Sequence, residues 1–285
     1  GTPNDLLPRR LGKCHYAEGV DGRIIGTLCS SAVVDVKEIG SDWSPTSLLE
    51  MAAENSAYNA FIDVGALITG MSNRESAEYL LRAGLKSFKG VVFLNLDGER
   101  LVLLRDGWQV VDLAQCGLSP SERFSFYDHV HTTGMDIKQP PGARAMLTMN
   151  KDTSLRDFSQ GAFRMRQLGK GQTVTILVTP EVSHLVEQCQ NACQVAQRAT
   201  SRGRSSSVTL DDFLQGPVSP KATSKASMVV NTLVWTTANG IRHECRKQSL
   251  LCQQKFHDIW RRKARGKLES LSFDSSQHPA IADLL

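Results

Sequence analysis

Between Arg123 and Val178 the chain alternates strand-like and helix-like patterns, and this alternation constrains the fold more than any other feature. A short aromatic run (Phe124 to Tyr127) leads into a polar turn, His131-Thr132-Thr133-Gly134-Met135-Asp136, and a second apolar run follows from Ala143 to Met149. Leu155, Phe158, Ala162, Phe163 and Met165–Arg166 are then spaced as one face of a helix. Thr173 to Val178 closes the stretch as a third, β-branched run. Strands that alternate with helices predict an α/β fold with a mainly parallel sheet. Ligands of such sheets bind beyond the carboxyl ends of the strands, where the HTTGMD turn falls.

The same pattern extends towards the amino terminus. Ala32 to Val36 predicts a short strand, and Ser44-Pro45-Thr46 predicts a capped helix start. Ala60 to Ile68 is strand-like and contains Asp63, which reads either as a catalytic carboxylate or as a cap for a neighbouring helix. Asn73, with Ser76 in the capping-box place of Glu, predicts the start of a helix over 74–84 that ends at Gly84. A hairpin pairs Val91–Leu94 with Leu101–Leu104 around Asp97-Gly98, and Asp106-Gly107 turns the chain into Trp108–Leu113.

Two resemblances rest on these residues. Gly134-x-Asp136 after a strand resembles the fifth motif of helicase-type second lobes, and Gln160-x-x-x-Arg164 on the next helix resembles the sixth. That implies a RecA-like lobe in which Gly134, Asp136, Gln160 and Arg164 face a nucleoside triphosphate. The family's second arginine would fall at Gln167, whereas here the nearby cation is Arg166. Gly169-Lys170-Gly171-Gln172-Thr173 lies between a helix and a strand, the reverse of a phosphate-cradling loop, and reads as a tight exit turn.

Four segments taken together (59–70, 90–107, 113–139 and 158–173) resemble a family of very large eukaryotic domain-of-unknown-function proteins grouped with ubiquitin thioesterases. That resemblance implies a cysteine-type ubiquitinyl hydrolase acting on ubiquitin or ubiquitinated proteins. Thiol proteases need a thiolate, an imidazole base and a group that orients the ring. Cys116, His131 and Asp128 supply those residue types, with Cys116 as nucleophile and His131 as base. Buried packing for Cys116 and a turn role for His131 remain the alternatives. A degenerate lobe that serves only as an interaction scaffold is a third reading.

The remaining features bound the setting. The opening Gly predicts a segment of something longer, and residues 1–30 read as an irregular lead-in to an α/β lobe over 31–180. A helix is expected over 181–199, a flexible linker over 200–227, a basic helical segment over 228–267 and a tail over 268–285. Between Ile241 and Lys267 nine Lys/Arg stand against Glu244 and Asp258, a local net of +7. Such a helix suits nucleic acid or an acidic partner, or is simply a solvated face. The whole chain carries only +4, so no broad nucleic-acid footprint accompanies it. Seven cysteines, an odd number at irregular spacing, predict a reducing compartment, cytoplasmic or nuclear. Cys189-x-x-x-Cys193 lacks a second ligand pair, so no metal and no other cofactor is expected. No apolar run is long enough to span a membrane.

Overall fold

The computed structural model describes residues 18–132, 135–201 and 224–270. An eight-stranded mixed sheet forms from β1 (Val34–Glu38), β2 (Ala60–Ile62), β3 (Gly90–Leu94), β4 (Arg100–Leu104), β5 (Val110–Asp112), β6 (Arg123–Tyr127), β7 (Arg144–Thr148) and β8 (Thr173–Val178). Its order is β1-β8-β7-β2-β6-β3-β4-β5. The first six strands in that order pair in parallel, while β3–β4 and β4–β5 are antiparallel. The sheet is therefore mostly parallel, with an antiparallel ribbon at one edge.

Six α-helices accompany it among the described residues: α1 (Val20–Cys29), α2 (Pro45–Glu54), α3 (Asn73–Ala83), α4 (Leu155–Ala162), α5 (Pro180–Ser201) and α6 (Lys225–Ser270). Phe61, Phe93, Phe124, Phe126 and Met146 face one side of the sheet and pack with Leu48, Leu49, Leu80 and Leu81 of α2 and α3. Successive strand residues point to opposite faces, so Ile62 and Leu147 face the other side. There α4 packs closely: a Cβ on Gly161 would clash with Val64 Cγ2 and stand 3.4 Å from Leu147 Cδ1. The chain divides into two compact units, one ending at Thr237 and the other beginning at Ala238.

Several elements differ from the sequence reading. The expected irregular lead-in over 1–30 contains α1. Val20, Ile24 and Leu28 recur at helical spacing and Leu28 is buried, but Gly22 and Gly26 weaken the local signal. The first strand begins two residues later than expected. Ser72, not Asn73, caps α3, and its reciprocal partner is Glu75, whose carboxylate accepts the Ser72 backbone N–H at 2.7 Å. α4 stops at Ala162 rather than continuing through Arg166, because Arg164 and Met165 donate their N–H groups three residues back, to Gly161 and Ala162, and so tighten the chain out of the helix. The helix expected over 228–267 starts at Lys225 and reaches Ser270. Most of the expected linker (202–223) and tail (271–285) lies outside the described residues, as do Thr133 and Gly134.

A candidate site at the carboxyl edge of the sheet

β2 sits at the turning point of the topology. The chain leaves β6 on one side of β2 and returns as β7 on its other side. Crevices at such reversals, outside the carboxyl ends of the strands, are where open α/β sheets place ligands. Segments that follow three strands meet there: 63–68 after β2, 128–132 and 135–137 after β6, and 149–153 after β7.

Asp63 follows β2 and is nearly fully buried. Its Oδ1 accepts from Thr148 Oγ1 at 2.6 Å and from the Leu67 N–H at 2.9 Å, and its Oδ2 accepts from the Ile68 N–H at 3.0 Å. Thr148 Oγ1 also accepts the Gly65 N–H at 3.0 Å, and Asn150 Nδ2 donates to the Gly65 carbonyl at 2.8 Å. Burial pushes the Asp63 carboxyl above its ordinary value; the hydroxyl, the two amides and the charge of His129 pull the other way. Asp63 thus caps a turn rather than a helix, and it ties the ends of β2 and β7 together. Beside this knot lies a cavity of about 280 Å³ lined by Val64, His129, Thr132, Asn150, Asp152, Thr153 and Asp157.

After β6 the carboxylate of Asp128 does two things. Its Oδ2 accepts the Val130 N–H at 3.2 Å, and its Oδ1 stands 2.6 Å from Nδ1 of His131. The far side of the ring reaches the hairpin turn, where a Cβ on Gly98 would lie 4.0 Å from His131 Nε2. Asp128 and His131 are therefore joined. Cys116 is not with them. Its electrostatic neighbour is Arg123 at the amino end of β6, whereas Asp128 and His131 follow the carboxyl end. A five-residue strand spans roughly 15 Å, so the Cys116–His131–Asp128 arrangement predicted from sequence order is not assembled. Nearness in sequence failed here because β6 runs between the two.

The segment Met135–Ile137 is held from several directions. Tyr127 Oη accepts the Ile137 N–H at 3.1 Å, and burial pushes the Tyr127 phenol up to about 12. The Arg164 guanidinium donates to the Met135 carbonyl, and its Nε donates to the Gln160 carbonyl at 3.3 Å. Arg166 Nε pairs with Asp136 Oδ1 at 3.1 Å, and Arg100 Nη1 donates to the Asp136 carbonyl at 3.2 Å. Gly98, Glu99, Arg100, Asp112, Met135 and Asp136 line a cavity of about 480 Å³ at this place.

Of the residues singled out by the helicase resemblance, Asp136 and Arg164 lie at the same segment, but Asp136 pairs with Arg166 and Arg164 bonds the Met135 carbonyl. Arg164 is buried and turned inward to backbone carbonyls, and desolvation, helped by the charge of Arg166, lowers its pKa. Arg166, which is off the motif's spacing, is half exposed beside Asp136. Gln160 lies on α4 and gives its carbonyl to Arg164; Gly134 is outside the described residues. Arg100 was not a sequence candidate. It comes from the hairpin, and only the β3–β4 pairing brings it to Asp136. The turn Gly169–Gln172 is tight as expected, with positive φ at Gly169 and Gly171 and the Gly169 N–H bonded to the Gln172 carbonyl.

Among the described residues no three His, Cys, Asp or Glu side chains converge to hold a metal ion, and no helix is long and apolar enough to cross a membrane. Cys189 is buried and Cys193 half-buried on α5, and neither forms a disulfide. Compared with known proteins, the chain matches no family model, no curated protein and no solved structure.

Proposed function

We propose that this chain is a RecA-like lobe of a nucleic-acid-linked NTPase, contributing cations to a nucleoside triphosphate whose phosphates are cradled by another lobe. One observation carries the reading. The turn after β6 and the segment after α4, 30 residues apart, meet at the carboxyl edge through the Asp136–Arg166 pair. Arg100 stands on the same segment from a third direction. Arginines there offer planar, bidentate donors suited to phosphate oxygens. Arg166 supplies the mobile charge, while Arg164, bonded inward to the Met135 carbonyl, positions the segment. The described residues offer no phosphate-cradling loop of their own; Lys170 sits in the exit turn before β8.

The test is a titration of the isotopically labelled chain with ATP, followed by the side-chain Nε–H signals of its arginines. The reading expects shifts of Arg166 and Arg100 that adenosine does not produce and that Arg166→Ala removes. Identical responses to ATP and adenosine, or none, would sink it.

The joined Asp128–His131 pair supports a second reading, the ubiquitin hydrolase implied by the family resemblance. In it His131 is the base, and the nucleophile is a thiol other than Cys116, which lies towards the other end of β6.

A further inference from the structure

We propose that the stretch 238–270 of α6 is a docking helix for an acidic protein with an apolar, methionine-lined groove, the surface chemistry of calcium-sensor EF-hand proteins. Four features of this unit lead there. Almost every described residue beyond Glu244 is exposed, including large apolar ones: Phe256 is 60% and Trp260 59% accessible, with Ile241, Leu251 and Ile259 similarly open. A lone helix of this kind leaves apolar surface that needs a partner.

Part of the apolar set is ordered, while Leu250, Leu251 and Leu268 lie on other sides of the helix. Ile241, Cys245, Cys252, Phe256 and Ile259 follow one another at steps of 4, 7, 4 and 3 residues. At 100° per residue they fall in a sector about 60° wide, with Trp260 at its margin. Phe256 and Trp260 already meet edge to face, ring centroids 6.0 Å apart. Anchors at such spacing are how an amphipathic helix fills a groove.

Charge then selects the occupant. Nine Lys/Arg stand against Glu244, Asp258 and Glu269 in this stretch, a net of +6. A second copy of the helix would bring two such charges together, which is unfavourable. The cations are also not confined to one face. At 100° per residue Arg242, Arg246, Arg261, Lys247 and Arg262 follow each other round the helix, and Lys263 falls within the apolar sector itself. A flat anionic bilayer meets one side of the helix and would leave Leu250 and Leu251 uncovered, and a nucleic acid would leave Ile241, Leu251 and Ile259 uncovered. A groove that encloses the helix with acidic walls and an apolar floor satisfies both patterns, and methionines adapt to its mixed aromatic and aliphatic anchors.

The probe is calcium-loaded calmodulin, titrated calorimetrically into the full chain. The expected result is a stoichiometric complex abolished by a calcium chelator. Combined Phe256→Ala and Trp260→Ala should weaken it by roughly tenfold or more, with the melting temperature unchanged because both side chains are exposed. Arg261→Glu with Arg262→Glu should slow association and flatten its salt dependence. No calcium-dependent complex, or one indifferent to both variants, overturns the proposal. So does preferential binding to phosphatidylserine vesicles or a single-stranded RNA oligonucleotide. Self-association that Trp260→Ala abolishes, without a calmodulin complex, would instead identify a second copy as the occupant.

Discussion

Arg166 reaches back across 30 residues to Asp136, Nε to Oδ1 at 3.1 Å, and both side chains are about half exposed. An exposed pair of this kind contributes about 0–1 kcal/mol to stability. Its place at the carboxyl edge, beside Arg100, is more telling than its energy. Arg164, two residues earlier, is the opposite case, because it is buried and bonded to main-chain carbonyls.

The two arginines should therefore separate in experiment. Arg166→Ala is expected to leave the denaturation midpoint nearly unchanged while removing the response to ATP. Arg164→Ala leaves the Met135 carbonyl without its donor and should cost about 1–3 kcal/mol, measured by urea unfolding. If Arg164→Ala is silent in stability and Arg166→Ala is costly, the inward and outward roles are reversed.

Arg105 makes the clearest purely structural prediction. Its guanidinium donates to the carbonyls of Phe88, Leu81, Gly84 and Leu85, at 3.1, 3.1, 2.8 and 3.0 Å. It closes the carboxyl end of α3, whose last carbonyls lack helical partners. A lysine has one charged centre and cannot span four acceptors from a planar fork. Arg105→Lys and Arg105→Ala should thus both destabilise, by about 1–3 kcal/mol, and the lysine should recover little. Full recovery by lysine would show that charge alone, and not the fork, holds the helix end.

These contrasts bear on how much was legible in the sequence. Residues whose signal is local were read correctly: β8 falls on Thr173–Val178, and the hairpin turns at Asp97-Gly98. α2 starts after Ser44, which accepts the Ser47 N–H. α1 is illegible in the sequence because two glycines mask its apolar positions, and the apolar pattern runs past α4 because Met165 stays buried after the helix has ended. In the site, Asp128 and His131 were legible because three residues bring them together in one turn. The bond from Thr148 to Asp63 spans 85 residues and depends on β2 lying beside β7, which no local pattern encodes. Cys116 failed for the complementary reason, since a strand separates neighbours in sequence.

The linkage between Asp63 and pH follows from its position. Burial raises its pKa in the folded protein above the ordinary value of 3.8. The folded state then holds this proton more tightly than the unfolded chain does, so its contribution to stability is complete below that value. It is lost as pH rises through the higher folded pKa. Asp63→Asn removes that titration, although its amide also presents a donor where three donors already point. The variant should be less stable at every pH. The gap between it and the parent chain should narrow as pH rises from about 4, near the ordinary carboxylate value. A gap that widens over the same range would mean that the hydroxyl and amides outweigh burial. Unfolding midpoints from pH 3 to pH 7, taken at constant ionic strength, decide it.

The last prediction concerns the thiol chemistry. Ubiquitin carrying an electrophile at its carboxyl terminus labels a cysteine only where a base and an aligned acyl site make the thiolate nucleophilic. Asp128 Oδ1 stands 2.6 Å from His131 Nδ1, but Cys116 lies near Arg123 at the far end of β6. The chain alone is accordingly expected to give no adduct that depends on Cys116, and Cys116→Ala should behave as the parent does. Two outcomes would change the assignment. An adduct lost in Cys116→Ala and in His131→Ala would require the loop between β5 and β6 to fold over the carboxyl edge in solution. An adduct lost only in His131→Ala would leave the Asp128–His131 pair as the working base and direct attention to another thiol. Mass mapping of the modified peptide distinguishes the two, because Cys116 is the lone cysteine between Cys29 and Cys189.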